Sequence, residues 1–424
     1  MRRLLIAALL AASLDAGAAV IGYMTPPEPL TAARIAQLPA AEQQAWQVYL
    51  ARSQARMAAD KAALAAERGA AEAVPPPPAG RPGEASMPLR RPANWYASAA
   101  ARHIADNIVS FQTPSGGWGK NVDRSGPLRL PGQPYVSADS LPAGVAGPKP
   151  EAWSFVGTID NDATLTELRF LARVQAQAPG ADGNAYRASF EKGMRYLFEA
   201  QYPNGGFPQV YPLQGGYHDA ITFNDNAIGG VLELLLLVAQ RSGDYAFVPP
   251  ALAEQARSAA ERTLAMVVAT QIRVGGVATG WCQQHDALSL APVGARNFEP
   301  PAIASLESAE LLSTLMQLHA PSPAVVAAVH AGVAWLRQAA LRDIAWGAVS
   351  AEEGRQMRAA PGAGPLWARL YAIGDLRPVF GDRDRSIHDQ VNEISRERRN
   401  GYGWYGTGPA RTLEAYALWA PLHP

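Results

Sequence analysis

Apolar residues recur every three or four positions along most of the chain, in eight stretches separated by loops rich in glycine and proline. This spacing indicates helices with one buried face, whereas the period-two alternation of strands is scarce. The pattern therefore predicts an all-α protein. The predicted helices are Ser98 to Gln112, Asp162 to Ala176, Asn184 to Gln201, Asp225 to Arg241, Pro250 to Thr270, Ile303 to Leu318, Pro323 to Ala340 and Arg411 to Trp419.

The long loops between these helices favour an (α/α) toroid of helical hairpins, in which inner helices form the core and loops at one end build a site. Residues 111–118 and 200–207 share one form, a helix end followed by Gln, a proline turn, Gly-Gly and an aromatic residue. They suggest an internally repeated hairpin. An open helical solenoid is the alternative, although no repeat of fixed period supports it.

The amino terminus has a different pattern, in which Arg2 and Arg3 precede an apolar run from Leu4 to Leu14 and then several small residues. This order is typical of a secretory signal peptide, and the run is too short to span a bilayer. We therefore predict a signal peptide at residues 1–19 and a secreted or periplasmic protein. A short buried helix is the alternative.

Residues 20–74 are rich in alanine, and their apolar positions predict a small N-terminal helical extension. The residues at helical spacing are Trp46, Leu50, Met57 and Leu64. Proline and glycine cluster in residues 75–92, which predicts an extended linker because proline cannot continue a helix. We expect the remaining domain, residues 93–424, to be catalytic.

The chain has 424 residues, and 37 Lys and Arg balance 37 Asp and Glu. A neutral chain offers no general attraction to nucleic acid or to an anionic membrane, so we expect neither as a partner, and we expect a monomer. Cys282 is the only cysteine, which excludes a disulfide scaffold and a cysteine-rich zinc site. An anionic substrate would need a local cluster of cations.

Two triplets of acidic and amide residues stand where predicted helices begin: Asp160-Asn161-Asp162 and Asn224-Asp225-Asn226. Each could simply cap its helix by accepting hydrogen bonds from free backbone N–H groups. The presence of two such triplets nonetheless favours a shared cation, and oxygen ligands of this kind suit calcium.

Trp281 precedes a pair of glutamines, and Arg296 comes shortly before a rigid Pro-Pro turn. This arrangement suggests a sugar-binding wall beside a fixed cation. The alternatives are a core position for Trp281 and an ordinary ion pair of Arg296 with Glu299 or Glu307. His285 is a candidate general base by residue type.

Arginine and aromatic residues are concentrated near the carboxyl terminus, in residues 367–371, 381–385 and 396–406. Several of these arginines must pair with neighbouring acids. The local excess of guanidinium and aromatic groups still suits carboxylated sugars, because arginine binds carboxylates through paired hydrogen bonds.

Six motifs, in order along the chain from about Trp95 to Tyr405, together resemble the pectate lyases of polysaccharide lyase family ten. The motifs are Gly116-Gly117-Trp118-Gly119-Lys120-Asn121, Thr158-Ile159-Asp160-Asn161, Ile221-Thr222-Phe223-Asn224-Asp225, Thr279-Gly280-Trp281-Cys282-Gln283-Gln284, Ala295-Arg296 and the segment from Arg396 to Gly406.

The resemblance implies an all-helical toroid and calcium-dependent, endolytic cleavage of polygalacturonate by β-elimination. It implies that Asp160, Asn161 and Asp225 hold the calcium ion and that Arg296 is the base. Arg369 and Arg383 resemble the family's carboxylate-binding arginines. The full set that we expect to bind substrate is Lys120, Trp281, Arg369, Arg383 and Tyr402.

Two other functions stay open at this point. A glycoside hydrolase on a helical toroid would use two carboxylates, such as Asp160 and Asp225, as acid and base. A noncatalytic module would bind acidic glycans without turnover. Because the ordinary pKa of arginine is above about 12, the lyase hypothesis also predicts an alkaline optimum.

Overall fold

The fold is that of a computed structural model, which describes residues 20–70, 73–140, 153, 156–178 and 180–424. The predicted signal peptide lies outside these residues. In this part of the chain, no helix has the length and apolar character needed to cross a bilayer. The described residues contain eleven α-helices: α1 (Ala32–Ile35), α2 (Ala40–Gly69), α3 (Ala99–Ser110), α4 (Leu165–Gln177), α5 (Asn184–Ala200), α6 (Ala227–Gln240), α7 (Pro250–Thr270), α8 (Ser305–Met316), α9 (Pro323–Gln338), α10 (Arg396–Gly401) and α11 (Gly408–Trp419).

The eight predicted helices are all present, as α3 to α9 and α11. Helices α4, α6 and α8 begin later than predicted. Residues before α4 and α6 have positive φ angles, which a right-handed helix excludes, and the two residues before α8 form a strand. The alanine-rich segment forms α2, whereas α10 was not predicted.

Consecutive helices pack as hairpins, α4 with α5, α6 with α7 and α8 with α9. Helices α4, α6 and α8 also pack against one another in order and form an inner layer, while α5, α7 and α9 form an outer layer. Helix α3 packs on α4 and α5 at one end, and α11 packs on α8 and α9 at the other. The predicted all-α toroid of helical hairpins is confirmed.

Short strands join the loops to one another in six small antiparallel sheets, within the described residues. Most are only two residues long, which is too short to leave an alternating pattern in the sequence. They are β1 (Val20–Tyr23), β2 (Ile221–Thr222), β3 (Arg273–Val274), β4 (Val277–Ala278), β5 (Gln284–His285), β6 (Pro292–Val293), β7 (Ile303–Ala304), β8 (Ile344–Ser350), β9 (Gly354–Ala359), β10 (Trp367–Ala368), β11 (Leu370–Tyr371), β12 (Phe380–Gly381), β13 (Ser386–His388) and β14 (Tyr405–Gly406).

The hairpins share a repeated connection between loops. A backbone N–H before or at the start of each inner helix donates to a carbonyl of a later loop. The pairs are Ile159 with Gln209 at 3.2 Å, Phe223 with Gln283 at 2.8 Å and Ser305 with Arg369 at 2.8 Å. Three buried tryptophans below these loops donate their indole N–H groups to carbonyls of α3, α7 and α9: Trp118 to Ile108, Trp281 to Val267 and Trp367 to Leu336. Equivalent loop positions are therefore held together at one end of the toroid.

The N-terminal extension packs directly on this body. The Tyr49 hydroxyl of α2 donates to the Ala200 carbonyl at 2.9 Å, and the Ser115 N–H donates to the Asp60 carboxylate at 2.8 Å. Strand β1 pairs with β13, and in the predicted linker Gly80 pairs with Val122. The extension thus adds a further layer beside the outer helices.

Candidate active site

The first turn (160–162) and the second turn (224–226) lead into the inner helices α4 and α6 with nearly the same backbone. The φ angles of the last two residues of each turn are 52° at Asn161, 57° at Asp162, 50° at Asp225 and 56° at Asn226. Asparagine and aspartate tolerate this left-handed region better than most residues. Neither helix has a side-chain cap, because the N-cap residues Thr164 and Asn226 make no capping hydrogen bond. Capping therefore does not explain the two triplets.

A cavity of about 290 Å³ lies between the two turns. The three predicted metal ligands, Asp160, Asn161 and Asp225, all line it, and so do Lys120 and Arg296. The remaining lining residues are Gln209, Tyr217, Asn224, Gln284, Ala295 and Glu299. The structure thus brings five predicted site residues into one polar cavity.

The two turns differ in the charge around their carboxylates. Asp160 is buried and pairs with the ammonium group of Lys120. The Asp225 side chain is 43% exposed, and its Oδ1 lies 3.6 Å from Nη2 of Arg369. Burial raises the pKa of Asp225 above its ordinary value, and the charge of Arg369 acts in the opposite direction.

Arg296 reaches the cavity from the loop after β6. Its Nε lies 2.7 Å and its Nη2 lies 2.5 Å from the carboxylate oxygens of Glu299, which is buried. Burial alone would lower the pKa of Arg296, but the hydrogen bonds and charge of Glu299 outweigh it and raise that pKa above its ordinary value. The Arg296 side chain is still 45% exposed. The ion pair of Arg296 with Glu299, which the sequence allowed as an alternative, therefore exists. It still leaves the Arg296 guanidinium within reach of a ligand.

Arg369 forms a second arginine–carboxylate pair beside the second turn. Its guanidinium binds one oxygen of the buried Glu307, with Nε at 2.8 Å, and its Nη2 lies 3.3 Å from the Asn224 amide oxygen. Burial lowers the pKa of Arg369, but the charge and hydrogen bonds of Glu307, together with the neighbouring Tyr402 and Asp225, raise that pKa above its ordinary value. The ring of Tyr402 lies under this guanidinium at 4.8 Å.

Comparison with known proteins decides the family. A family model described as pectic acid lyase matches residues 112–413. The chain belongs to this lyase family. A family 10 polysaccharide lyase from Cellvibrio cellulosa has a similar structure, with a TM-score of 0.65 and 28% identity over 79% of this chain and 97% of that chain. A mutant of that lyase in complex with trigalacturonic acid is similar at the same TM-score and identity, over 79% of this chain and 98% of its own.

No curated protein sequence matches the chain significantly. The family match confirms the resemblance to pectate lyases of polysaccharide lyase family ten, and the protein is a pectate lyase. Membership of a lyase family decides against the hydrolase and the noncatalytic module.

Two aromatic residues of the pectate lyase do not have the predicted role. Trp281 is fully buried, and its indole N–H donates to the Val267 carbonyl at 2.8 Å, so it belongs to the core and forms no sugar-binding wall. Tyr402 is 7% exposed, and its hydroxyl donates to Glu299 at 2.8 Å. It supports both arginines from below instead of presenting a face to a sugar.

His285 is also a structural residue. It is fully buried, its Nε2 accepts from the Cys282 N–H at 3.1 Å, and its Nδ1 lies 2.9 Å from the Leu290 carbonyl. Burial lowers the pKa of His285 to about 4. Its ring therefore has no path to a substrate proton.

Arg383 lies outside the cavity. It is exposed and forms an ion pair of 3.1 Å with Glu397. Its guanidinium lies 5.3 Å from the centre of the Phe298 ring, and that of Arg296 lies 4.9 Å from the same ring. Arg383 is thus one aromatic ring away from the cavity, where it extends the cationic side of the lyase.

Gln209, Tyr217 and Glu299 line the cavity without having been predicted as site residues. Gln209 could have been predicted from the sequence. It follows Phe207, the aromatic residue of its Gly-Gly loop, by two positions, just as Lys120 follows Trp118 in the other Gly-Gly loop. Gln283 and Arg369 follow Trp281 and Trp367 by the same spacing. Aligning these segments identifies Gln209 but neither Tyr217 nor Glu299.

The oxygen donors of the two turns suit calcium, the metal that the family implies. The two turns offer the carboxylates of Asp160 and Asp225 and the amide oxygens of Asn161 and Asn224, which are the hard oxygen donors that calcium prefers. Among the described residues, no group of three or more His, Cys, Asp or Glu side chains is arranged to hold a metal ion. The donors fit a partial site, which oxygens from outside the chain would complete.

Proposed function

We propose that this pectate lyase cleaves α-1,4-polygalacturonate endolytically by β-elimination, with calcium as its cofactor and Arg296 as its base. One observation carries the proposal: the oxygen donors of two matching turns and a half-exposed guanidinium line a single cavity. The complex of a related lyase with trigalacturonic acid supports the substrate class.

The reaction removes the proton at C5 of a galacturonate, next to the carboxylate, and expels the sugar at C4. Negative charge develops on that carboxylate as the proton leaves. A bound calcium ion supplies positive charge at this point, and Asp225, Asn161 and Asp160 are the residues that would hold it. Lys120, Arg369 and Arg383 would bind carboxylates of the polymer and fix its register.

Arg296 must be neutral when it accepts the proton, and Glu299 opposes that form. The ion pair therefore has to loosen as substrate binds, which the exposure of the Arg296 side chain permits. Neighbouring positive charge from a metal or from Lys120 disfavours the charged guanidinium. Because only a small fraction is neutral at pH 7, activity should rise toward alkaline pH.

The deciding experiment follows the ultraviolet absorbance of the unsaturated product on polygalacturonate, with calcium or with excess EGTA. We expect EGTA to abolish turnover and Arg296→Lys to lower kcat roughly 10³-fold. Arg257→Lys is the matched control, because Arg257 also pairs with a glutamate three residues away, Glu254, but on the outer helix α7. Its kcat should stay at the wild-type value.

Three results would refute the proposal. Full turnover in EGTA excludes calcium, and full turnover of Arg296→Lys, or an optimum below about pH 6, excludes the arginine base. The pH–rate profile of Glu299→Gln provides a further test, because the direction of its change is predicted. Removing the carboxylate that raises the pKa of Arg296 should move the rising limb of activity to lower pH.

We also propose export of the protein, on the basis of the predicted signal peptide at residues 1–19. Cleavage should occur after Ala18 or Ala19. Amino-terminal sequencing of protein recovered outside the cytoplasm tests this, and an intact Met1 there would contradict it.

A further inference from the structure

The amino-terminal strap, residues 20–36, consists of β1, an extended stretch and the short helix α1. It lies outside the residues that match the family model. Its apolar residues Met24, Leu30 and Ile35 are buried against the body. The strap is therefore an ordered part of this lyase that the family pattern does not account for.

The strap lies behind the small sheet that carries the active-site loops. This sheet has the order β2-β5-β6. Asp225 follows the last residue of β2 by three positions, and Arg296 follows the last residue of β6 by three positions. The spacing of the outer strands around β5 therefore sets the distance between the proposed metal ligand and the proposed base.

The strap contacts the flanking residue of each of the three strands. The Leu30 N–H donates to Asp219, just before β2, at 3.2 Å, and Nη2 of Arg34 donates to Asp286, just after β5, at 2.6 Å. Met24 packs on Gly294, just after β6, so closely that a Cβ at that glycine would lie 3.0 Å from the Met24 sulfur. All three strands are thus fastened to one segment.

Both carboxylates bridge the strap and their own loops. Asp219 accepts the Gly215 N–H at 2.8 Å through its second oxygen, and Asp286 accepts the Ser289 N–H at 2.8 Å through its second oxygen. Asp219 and Asp286 are both buried. The Met24 N–H also donates to the Arg385 carbonyl at 2.8 Å, next to the strand that β1 joins. The strap is fixed at both its ends.

We propose that the amino-terminal strap is a positioning element for catalysis, which holds the Asp225 loop and the Arg296 loop at the separation that the elimination requires. Arg34 is its principal positioning residue, because its ion pair fastens the central strand. This inference rests on the proposed function for the roles of Asp225 and Arg296. It assigns a catalytic purpose to a segment beyond the matched family region.

The test compares Arg34→Ala with Arg56→Ala in the full chain. Arg56 of α2 forms an equally short ion pair of 2.6 Å with Glu199, so the control also detaches the N-terminal extension, but away from the cavity. We expect Arg34→Ala to lower kcat about tenfold with KM changed less than about twofold, since a small misplacement of reacting groups costs rate more than binding. Arg56→Ala should keep the wild-type kcat.

Three further measurements separate positioning from general stability. Hydrogen exchange of residues 284–296 should quicken in Arg34→Ala and stay unchanged in Arg56→Ala. Arg34→Lys should restore most of the lost kcat, because it keeps the charge opposite Asp286. If Arg34→Ala does not fold, as judged by its thermal melt, Asp286→Asn replaces it, since it removes the ion pair and retains the acceptor oxygen for the loop.

Equal losses of kcat in Arg34→Ala and Arg56→Ala, or no loss in either, would overturn the strap proposal. A rise in KM of Arg34→Ala without a fall in its kcat would also overturn it. These outcomes leave the proposed function intact as long as wild-type turnover needs calcium and Arg296. Conversely, a wild type that is active in EGTA would overturn the proposed function first, whatever Arg34→Ala shows.

Discussion

The first and second turns have nearly the same backbone but differ in how closely a cation pairs with their carboxylates. In the first, Asp160 is buried and already compensated by Lys120. In the second, Asp225 is 43% exposed and only loosely associated with Arg369, at 3.6 Å. Duplicated geometry therefore does not mean duplicated function. The Asp160 carboxylate of the first turn is already paired with Lys120, whereas the Asp225 carboxylate of the second turn is available to a ligand in the cavity.

The difference extends beyond the turns themselves. A larger cavity of about 710 Å³ lies beside both turns. Carboxylates outnumber cations in its lining, which includes Asp162, Asp225, Glu233, Glu307 and Glu310 together with Arg369 and Arg411. Arg369 stands at the boundary between the two cavities and pairs with Glu307. An anionic polymer is repelled by carboxylates and attracted by cations, so it should lie on the side of Lys120 and Arg296 and avoid this acidic side.

The largest effect should come from removing the exposed carboxylate. We expect Asp225→Ala to lower kcat/KM on polygalacturonate by roughly 10³-fold, because it deletes the more exposed of the two proposed carboxylate ligands. Asp160→Ala should cost only about tenfold, since that oxygen is already occupied by Lys120. The measurement is initial rate against calcium concentration for both variants.

Raising calcium should rescue Asp225→Ala more fully than Asp160→Ala, because Asp225 is the more exposed of the two proposed ligands and its loss should weaken binding of the ion more. If both variants lost kcat/KM equally and calcium rescued both equally, the proposed difference between the two turns would be wrong. In that case both carboxylates would be metal ligands of the same standing, and the contact between Lys120 and Asp160 would have to open on binding.

Much of this architecture could be predicted from the sequence. Helices such as α6 carry a sustained apolar face, and the Asp160 and Asp225 triplets stood out because each precedes such a helix. The sequence could not show that both triplets adopt a left-handed turn, since Asn and Asp suit a cap and that turn equally well. Nor could it separate the two carboxylates, because their partners, Lys120 and Arg369, are remote in sequence.

The predicted substrate-binding residues that the structure contradicts are aromatic. Trp281 stands among polar loop residues, yet its side chain points into the core, where it takes the place that Trp118 and Trp367 take in other copies. Burial of a single residue in a short loop leaves no periodic pattern to detect. The contact of the strap with Asp286 was unpredictable for a related reason, as the partners are 252 residues apart.

An intermediate effect on KM and on the calcium requirement should come from removing Lys120. Without it, Asp160 of the first turn has no closely paired cation, which makes it more like Asp225 of the second turn. We expect Lys120→Met to raise KM for polygalacturonate about tenfold, because one charge-assisted contact to a uronate carboxylate is lost. The calcium concentration for half-maximal rate should fall, since Asp160 loses its competing cation. Lys61→Met, on the exposed face of α2, is the control and should change neither quantity. A higher calcium requirement in Lys120→Met would contradict this account.

The smallest effect concerns the acidic side of the second turn and appears in stability. Burial raises the pKa of Glu310 to about 7, and the charges of Glu307 and Asp225 add to the shift. A carboxyl whose pKa is higher in the folded state binds more protons there, so its contribution to folding is present below its unfolded pKa and is lost as the pH rises to about 7.

Glu310→Gln abolishes this loss, because the amide does not ionise. The free energy of unfolding of the variant should therefore equal that of the wild type near pH 4 and exceed it at pH 8 by about 1 kcal/mol. This value is modest because the Glu310 residue is exposed, so that solvent screens much of the effect. Urea unfolding at both pH values measures the difference. Glu254→Gln, which removes an exposed carboxylate from the outer helix α7, should show no such pH dependence. A variant that is less stable than the wild type at pH 8 would mean that Glu310 is compensated there, and that the second turn is not surrounded by excess negative charge.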